Sequence, residues 1–191
     1  MNKFCERVIS FFEAIHPLDR VPRAGFLLRG VEVPENVSAH SHFLTLLTLI
    51  VLEEYPNRWD KEKSLIMALI HDLSEAKMMD VPMPIVQNYF SEAKLSAEVM
   101  IFKEIAKGLP EKFVQIFEEF HNCSSPEAKL VRGLDKVQMM IKVMCYEREH
   151  RGYLEEFWKN PKNFCDYGID VVKKLFEAIC SKAGRTIPKE Q

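Results

Sequence analysis

Apolar residues recur along most of this chain at spacings of three and four, which marks amphipathic helices rather than strands. Residues 3–15 carry Phe4, Val8, Phe11, Phe12 and Ile15 at that spacing. Pro17 and Pro22 then bracket a loop that runs through Gly25 and Gly30 to Pro34. A second helix is predicted to start at Asn36 or Ser38, either of which can cap it, and to run to about Tyr55. Its body, residues 43–52, is apolar on all sides, which predicts a central, buried helix. Pro56 and Asn57 interrupt the pattern, and a third helix is predicted over 61–77. Pro82 and Pro84 mark an extended loop, followed by an amphipathic helix over 91–107 and a short helix over 111–121. Ser124-Ser125-Pro126 reads as a helix start, opening a long Met-rich helix over 126–150. The last helix is predicted over 166–183. No strand-like alternation exceeds four residues, and no repeat or linker appears. The pattern therefore predicts one all-α domain of six to eight helices over residues 1–183, with a loose tail at 184–191.

Composition narrows the function. With 191 residues, 47% hydrophobic and 28% charged, the chain can build its own core. Lys and Arg number 26 against 28 Asp and Glu, so it lacks the bulk basic field that a polynucleotide partner requires. The longest uncharged apolar stretch, 43–52, is far short of the roughly 20 residues of a membrane span. The five cysteines form no C-x-x-C pair, and the first residues lack a signal-peptide pattern, so a cytoplasmic setting is expected. Only seven glycines occur. None forms G-x-G, and Gly25 and Gly30, at phosphate-loop spacing, are followed by Val31 and Glu32. Phosphate chemistry here must rest on side chains or a metal.

Several ionisable residues occupy apolar helical settings. His40 shares a stripe with Leu44, Leu47 and Val51. His71 and Asp72 follow the apolar run 65–70, and Asp135 lies between Val131 and Met139. A buried carboxylate is costly unless paired, hydrogen-bonded or metal-bound. Each residue alone has an ordinary explanation: a satisfied core histidine, a chance dipeptide, or an ion pair of Asp135 with Arg132 or Lys136. Together they ask for one shared partner, and a divalent metal suits mixed His/Asp ligation. Glu75, four residues after His71 and three after Asp72, can share one helix face with both, and with a metal there it would lie within reach of a metal-bound water for acid/base work. Asp80 falls just beyond that helix. His16, His42, His121 and His150 are expected at the surface, at caps or in packing, and Met139, Met140 and Met144 as core filler or a dimer face.

The residues resemble a known family. Arg20-Val21-Pro22-Arg23, the segment 34–41 (PENVSAHS), His71-Asp72-Leu73-Ser74-Glu75, and Ser125-Pro126-Glu127 leading to Leu134-Asp135-Lys136 resemble HD-domain phosphohydrolases, and more closely their YfbR-like 5'-deoxynucleotidase branch. The similarity covers about residues 5–150. It implies a compact helical bundle, with His40, His71, Asp72 and Asp135 holding one divalent ion (Co, Mn, Zn, Ni, Fe or Mg). It also implies Glu75 as a catalytic carboxylate, Asp80 positioning water or sugar, and Arg20 contacting phosphate. The implied reaction removes the 5'-phosphate from small nucleotides, in a homodimer. Two alternatives are an HD hydrolase of nucleoside triphosphates or cyclic nucleotides, and a silent helical module that keeps the metal as a structural part.

Overall fold

The computed structural model describes residues 2–82, 85–86, 89 and 91–189. Pro84, residue 1 and residues 190–191 lie outside the described residues. The helices are α1 (Lys3–Ile15), α2 (Ala24–Leu27), α3 (Val37–Glu54), α4 (Lys61–Ile70), α5 (Glu75–Met78), α6 (Ser91–Ile105), α7 (Lys112–His121), α8 (Pro126–Arg148), α9 (Glu155–Lys159) and α10 (Asp170–Ala183). Short 3-10 turns occupy His16–Arg20 and Pro161–Phe164. Among the described residues there is no strand, only an isolated antiparallel bridge between Pro22 and Asn36. The fold is all-α, and seven of the helices have ten residues or more.

The pillar of the bundle is α8. Ser125 caps it by accepting the Ala128 N–H at 3.1 Å, with Pro126 in the first turn. Leu130, Val131, Leu134, Val137, Met140 and Val143 have no exposed surface, and α3, α4, α7 and α10 pack around them. Gly133 lets α10 approach: a Cβ there would lie 3.0 Å from both methyls of Val172.

The central, fully buried position predicted for α3 is corrected. Leu44, Thr48, Val51 and Leu52 face the core, but Phe43, Leu46 and Ile50 are exposed, Ile50 by 66%. The helix has two apolar faces, and the chain covers only one.

The helix predicted over 61–77 stops at Ile70. Leu73 N–H bonds the Ile70 carbonyl and Glu75 N–H the Asp72 carbonyl, so the chain tightens from i−4 to i−3 bonding before α5 resumes. Of the loop predicted at Pro82 and Pro84, Pro82 is non-helical and Pro84 lies outside the described residues, while Ile85 and Val86 N–H both donate to the Pro82 carbonyl. Tyr167 and Gly168 adopt left-handed backbone, so the last helix starts at Asp170 rather than near 166. The tail is not loose at its start: Arg185 bonds Glu147 and Glu155 and lies over the Trp158 ring.

Two distant segments are tied together to wall the site. The Tyr153 N–H donates to the Arg29 carbonyl at 2.6 Å. Next to it, Gly152 has φ +73°, and a Cβ there would lie 2.7 Å from both Arg29 O and Val31 Cγ2. Glycine is therefore required at this crossing. No helix among the described residues is long and apolar enough to cross a membrane.

Candidate metal centre

Asn36 opens α3 by accepting the Ala39 N–H at 2.8 Å, which sets His40 in the first turn facing α8. His71 and Asp72 stand in the tight turn after α4, and Asp135 projects from α8. These elements bring four sequence-singled residues together. His40 Nε2 lies 3.3 Å from His71 Nε2, 3.6 Å from Asp72 Oδ2 and 3.1 Å from Asp135 Oδ1. His71 Nε2 lies 3.0 Å from Asp72 Oδ2. His40, His71 and Asp72 each offer one ligand atom within 4.8 Å of the others, as a metal site requires. Asp135 joins this triplet through His40.

Hydrogen bonding fixes which ring nitrogens are free. His40 Nδ1 lies 2.7 Å from Gln138 Oε1, and His71 Nδ1 lies 3.0 Å from the Ala68 carbonyl. The Gln138 amide is oriented by its Nε2, which donates to both oxygens of Glu35 at 3.1 and 3.2 Å. Both imidazoles therefore donate from Nδ1 and turn an Nε2 lone pair inward. Two lone pairs face each other at 3.3 Å beside two carboxylates. Such a donor set fits a shared cation. Protons feel the same pull. Burial opposes charge on His71, but Asp72 and Asp135 raise its pKa. Burial would also raise the pKa values of the aspartates. Instead His71, His40 and Arg23 hold Asp72 far below the ordinary carboxylate range, and His40, Arg23 and His71 do the same for Asp135.

A cavity of about 400 Å³ opens onto this cluster. Asp72, Glu75, Asp80, Asp135, Arg23 and Lys136 line its charged end. Glu75 is 2% exposed, and its Oε2 has no hydrogen-bond partner among the described residues. Burial, then the charges of Asp72 and Asp80, push its pKa well above the usual glutamate value. Asp80 Oδ2 accepts the Ala24 N–H at 2.7 Å, tying the start of α2 to the rim. Arg20 does not line the cavity: its side chain is 69% exposed and pairs with Asp19. Arg23, three residues on across the bridge at Pro22, is the arginine that points inward, 3.4 Å from Asp72. Burial opposes its charge, but Asp80, Asp72 and Asp135 raise its pKa above the ordinary arginine value.

A family model described as HD domain matches residues 15–169. The chain belongs to the HD-domain family. It is 31% identical over 157 residues to the 5'-deoxynucleotidase HDDC2 of Homo sapiens, covering 79% of this chain and 74% of that protein. The Danio rerio protein of the same name is 32% identical over 157 residues, covering 80% of this chain and 77% of its own. Among solved structures, the PH0347 protein from Pyrococcus horikoshii OT3 superposes with a TM-score of 0.73 at 34% identity, over 92% of this chain and 98% of its own.

Around the HD dipeptide the structure adds residues that the sequence reading passed over. Gln138 and Glu35 form the outer layer behind His40, and Lys142 Nζ stands 3.4 Å from Glu35. Gln138 is legible in hindsight as a polar residue seven positions after Val131, on the buried stripe of α8. His121, expected at the surface, at a cap or in packing, closes its helix and bridges two buried groups: Nε2 lies 3.2 Å from the His71 carbonyl and Nδ1 3.3 Å from Glu98. Glu98 also pairs with Lys94 at 2.8 Å. This chain of contacts ties α6 and α7 to the HD turn. Nothing in the spacing of His121 announces it, because its partners lie 23 and 50 positions away.

Proposed function

We propose that this HD-domain protein is a metal-dependent 5'-deoxynucleotidase that releases inorganic phosphate from deoxynucleoside 5'-monophosphates. The observation that carries the reading is the pair of inward Nε2 lone pairs beside Asp72 and Asp135, set at the floor of a cavity that also holds Glu75 and Arg23. The names of the relatives supply the substrate class.

His40, His71, Asp72 and Asp135 would hold one divalent ion. When bound, that ion supplies Lewis-acid chemistry, neutralising phosphate charge and making water more acidic. The remaining work falls to the chain. Arg23 takes the phosphate-contacting role suggested for Arg20, because its guanidinium is buried, held charged and directed at the cluster. Glu75 Oε2, buried without a hydrogen-bond partner and with its pKa pushed upward by burial and by Asp72 and Asp80, donates a proton to the departing 5'-oxygen. Asp80 keeps one oxygen on Ala24 N–H and offers the other to the sugar or to water.

The exposed face of α3 supports a homodimer. Phe43, Leu46 and Ile50 form a stripe at helical spacing, with Leu69 of α4 also exposed by 50%. A second copy of the chain would cover this stripe, and Ile50→Asp should shift the protein from dimer to monomer in light scattering.

The reading is tested by measuring metal content and phosphate release together. Asp72→Ala and Asp135→Ala should each lose both. Full turnover by metal-free Asp72→Ala protein would overturn it.

A further inference from the structure

The HD cavity has a second end, and it is chemically unlike the first. Its wall there comes from Leu28 and Arg29 after α2, and from Glu156, Phe157, Asn160 and Asn163 on α9 and the following 3-10 turn. These last residues lie past residue 150, beyond the motifs read in the sequence, but within the 15–169 span that the HD-domain model matches.

The two asparagines are oriented by their own backbone contacts. Asn160 Oδ1 accepts the Lys162 N–H at 3.1 Å, capping the 3-10 turn. Its Nδ2 makes no hydrogen bond among the described residues. Asn163 is the reverse: its Nδ2 donates to the Phe157 carbonyl at 3.0 Å, which leaves its Oδ1 as the unused group. The wall thus offers one fixed donor and one fixed acceptor, three residues apart. Phe157 lines the same wall and supplies an aromatic side chain beside them. It is stacked on Phe26 at 5.1 Å and lies against Gly25, where a Cβ would meet its Cζ at 3.7 Å. The Arg29–Glu156 ion pair closes the side.

An aromatic face beside a paired donor and acceptor matches one part of a nucleotide. The phosphate belongs at the charged end, and the base presents a flat π-surface with donors and acceptors on its edge. We propose that Asn160 and Asn163 form the base-reading subsite, with Asn160 Nδ2 donating to a ring or carbonyl acceptor and Asn163 Oδ1 accepting from an N–H of the same base. The inference rests on the nucleotidase reading and deepens it: the two asparagines set base preference, while the residues at the charged end carry the chemistry.

The test measures kcat/KM for the four natural deoxynucleoside 5'-monophosphates and for the base-free 2-deoxyribose 5-phosphate, on wild-type metal-loaded protein and on two variants. Asn160→Asp keeps the oxygen that caps the turn and replaces the donor by an acceptor. Asn163→Ala removes the acceptor. The wild type should prefer every nucleotide over the base-free compound. Asn160→Asp should reorder the four bases and cut the preference over the base-free compound about five- to tenfold, the order expected for one hydrogen bond made wrong. Asn163→Ala should cut the same ratio by a similar factor, and thermal melts report whether either variant has unfolded. Two results overturn the proposal: an equal loss on all five substrates, or a wild type that cleaves the base-free compound as well as the nucleotides. Cleavage of none of the five by the wild type overturns the nucleotidase reading itself, and this subsite with it.

Discussion

Replacing Gln138 with leucine should weaken the metal centre without touching a ligand. In the folded protein Gln138 is 4% exposed and does two jobs: Oε1 accepts from His40 Nδ1 at 2.7 Å, and Nε2 donates to Glu35 at 3.1 and 3.2 Å. Leucine fills similar volume but strands both partners. His40 is fully buried, and Glu35 is 8% exposed and keeps Lys142 at 3.4 Å and, at the longer distance of 4.0 Å, His40 Nδ1. A stranded buried polar group costs about 1–3 kcal/mol. The two together should cost about 2–6 kcal/mol, or about 4–24 °C of Tm for a chain of this size. His40 would also lose the bond that fixes its tautomer, and metal affinity should fall about 10–100-fold. Gln138→Glu separates the two effects. It still offers His40 an acceptor but faces Glu35 with a second carboxylate, so it should lose stability while holding metal more tightly than the leucine variant. The assays are chemical denaturation of chelator-treated protein and calorimetric metal titration. A leucine variant that binds metal as tightly as the wild type, whatever its stability, would refute the reasoning.

Burial would raise the pKa of Glu98, but His121 and Lys94 hold it below the usual glutamate value. Its ionised form therefore adds stability above about pH 4.3, the unfolded value, and that stability drains away as pH falls through the lowered folded value. Glu98→Gln should flatten the acid limb of a stability–pH curve measured in chelator, and an unchanged slope would count against the Glu98–His121 contact. Arg23→Lys keeps a charge but loses the planar fork, and should reduce kcat/KM by about 100-fold with metal content unchanged. Wild-type kinetics would remove Arg23 from phosphate binding. Gly152→Ala should cost about 2 kcal/mol or more in a denaturant titration, because it adds a Cβ at positive φ and 2.7 Å from two neighbours. A neutral result would mean that the crossing at Arg29 can relax.

Much of this was legible in the chain, for definable reasons. Apolar spacing locates the long helices because each buries one stripe, and Asn36 and Ser125 cap α3 and α8 where expected. His40, His71, Asp72 and Asp135 stand out because charge in an apolar helical setting needs a partner. The pattern misleads where two outcomes share one sequence. An apolar-all-round α3 reads as buried, yet one of its faces meets solvent. A continuous helical period through 61–77 hides the tight turn that presents His71 and Asp72. Arg20 and Arg23 stand three residues apart, and only the fold shows which points inward. Gln138 shows only as a polar residue on a buried stripe, and His121 and the two asparagines are silent in sequence, because their roles depend on partners far along the chain or on which end of an amide is already bonded.

The most direct test of the account is a phosphate-release screen on purified protein, stripped of metal and reloaded. Ribo- and deoxynucleoside mono- and triphosphates are supplied in parallel. The account predicts inorganic phosphate from deoxynucleoside 5'-monophosphates, lost on chelation, restored by a divalent ion, and absent from Asp135→Ala at every metal concentration. Turnover of triphosphates with monophosphates left intact, or release that persists in the stripped protein, would contradict it.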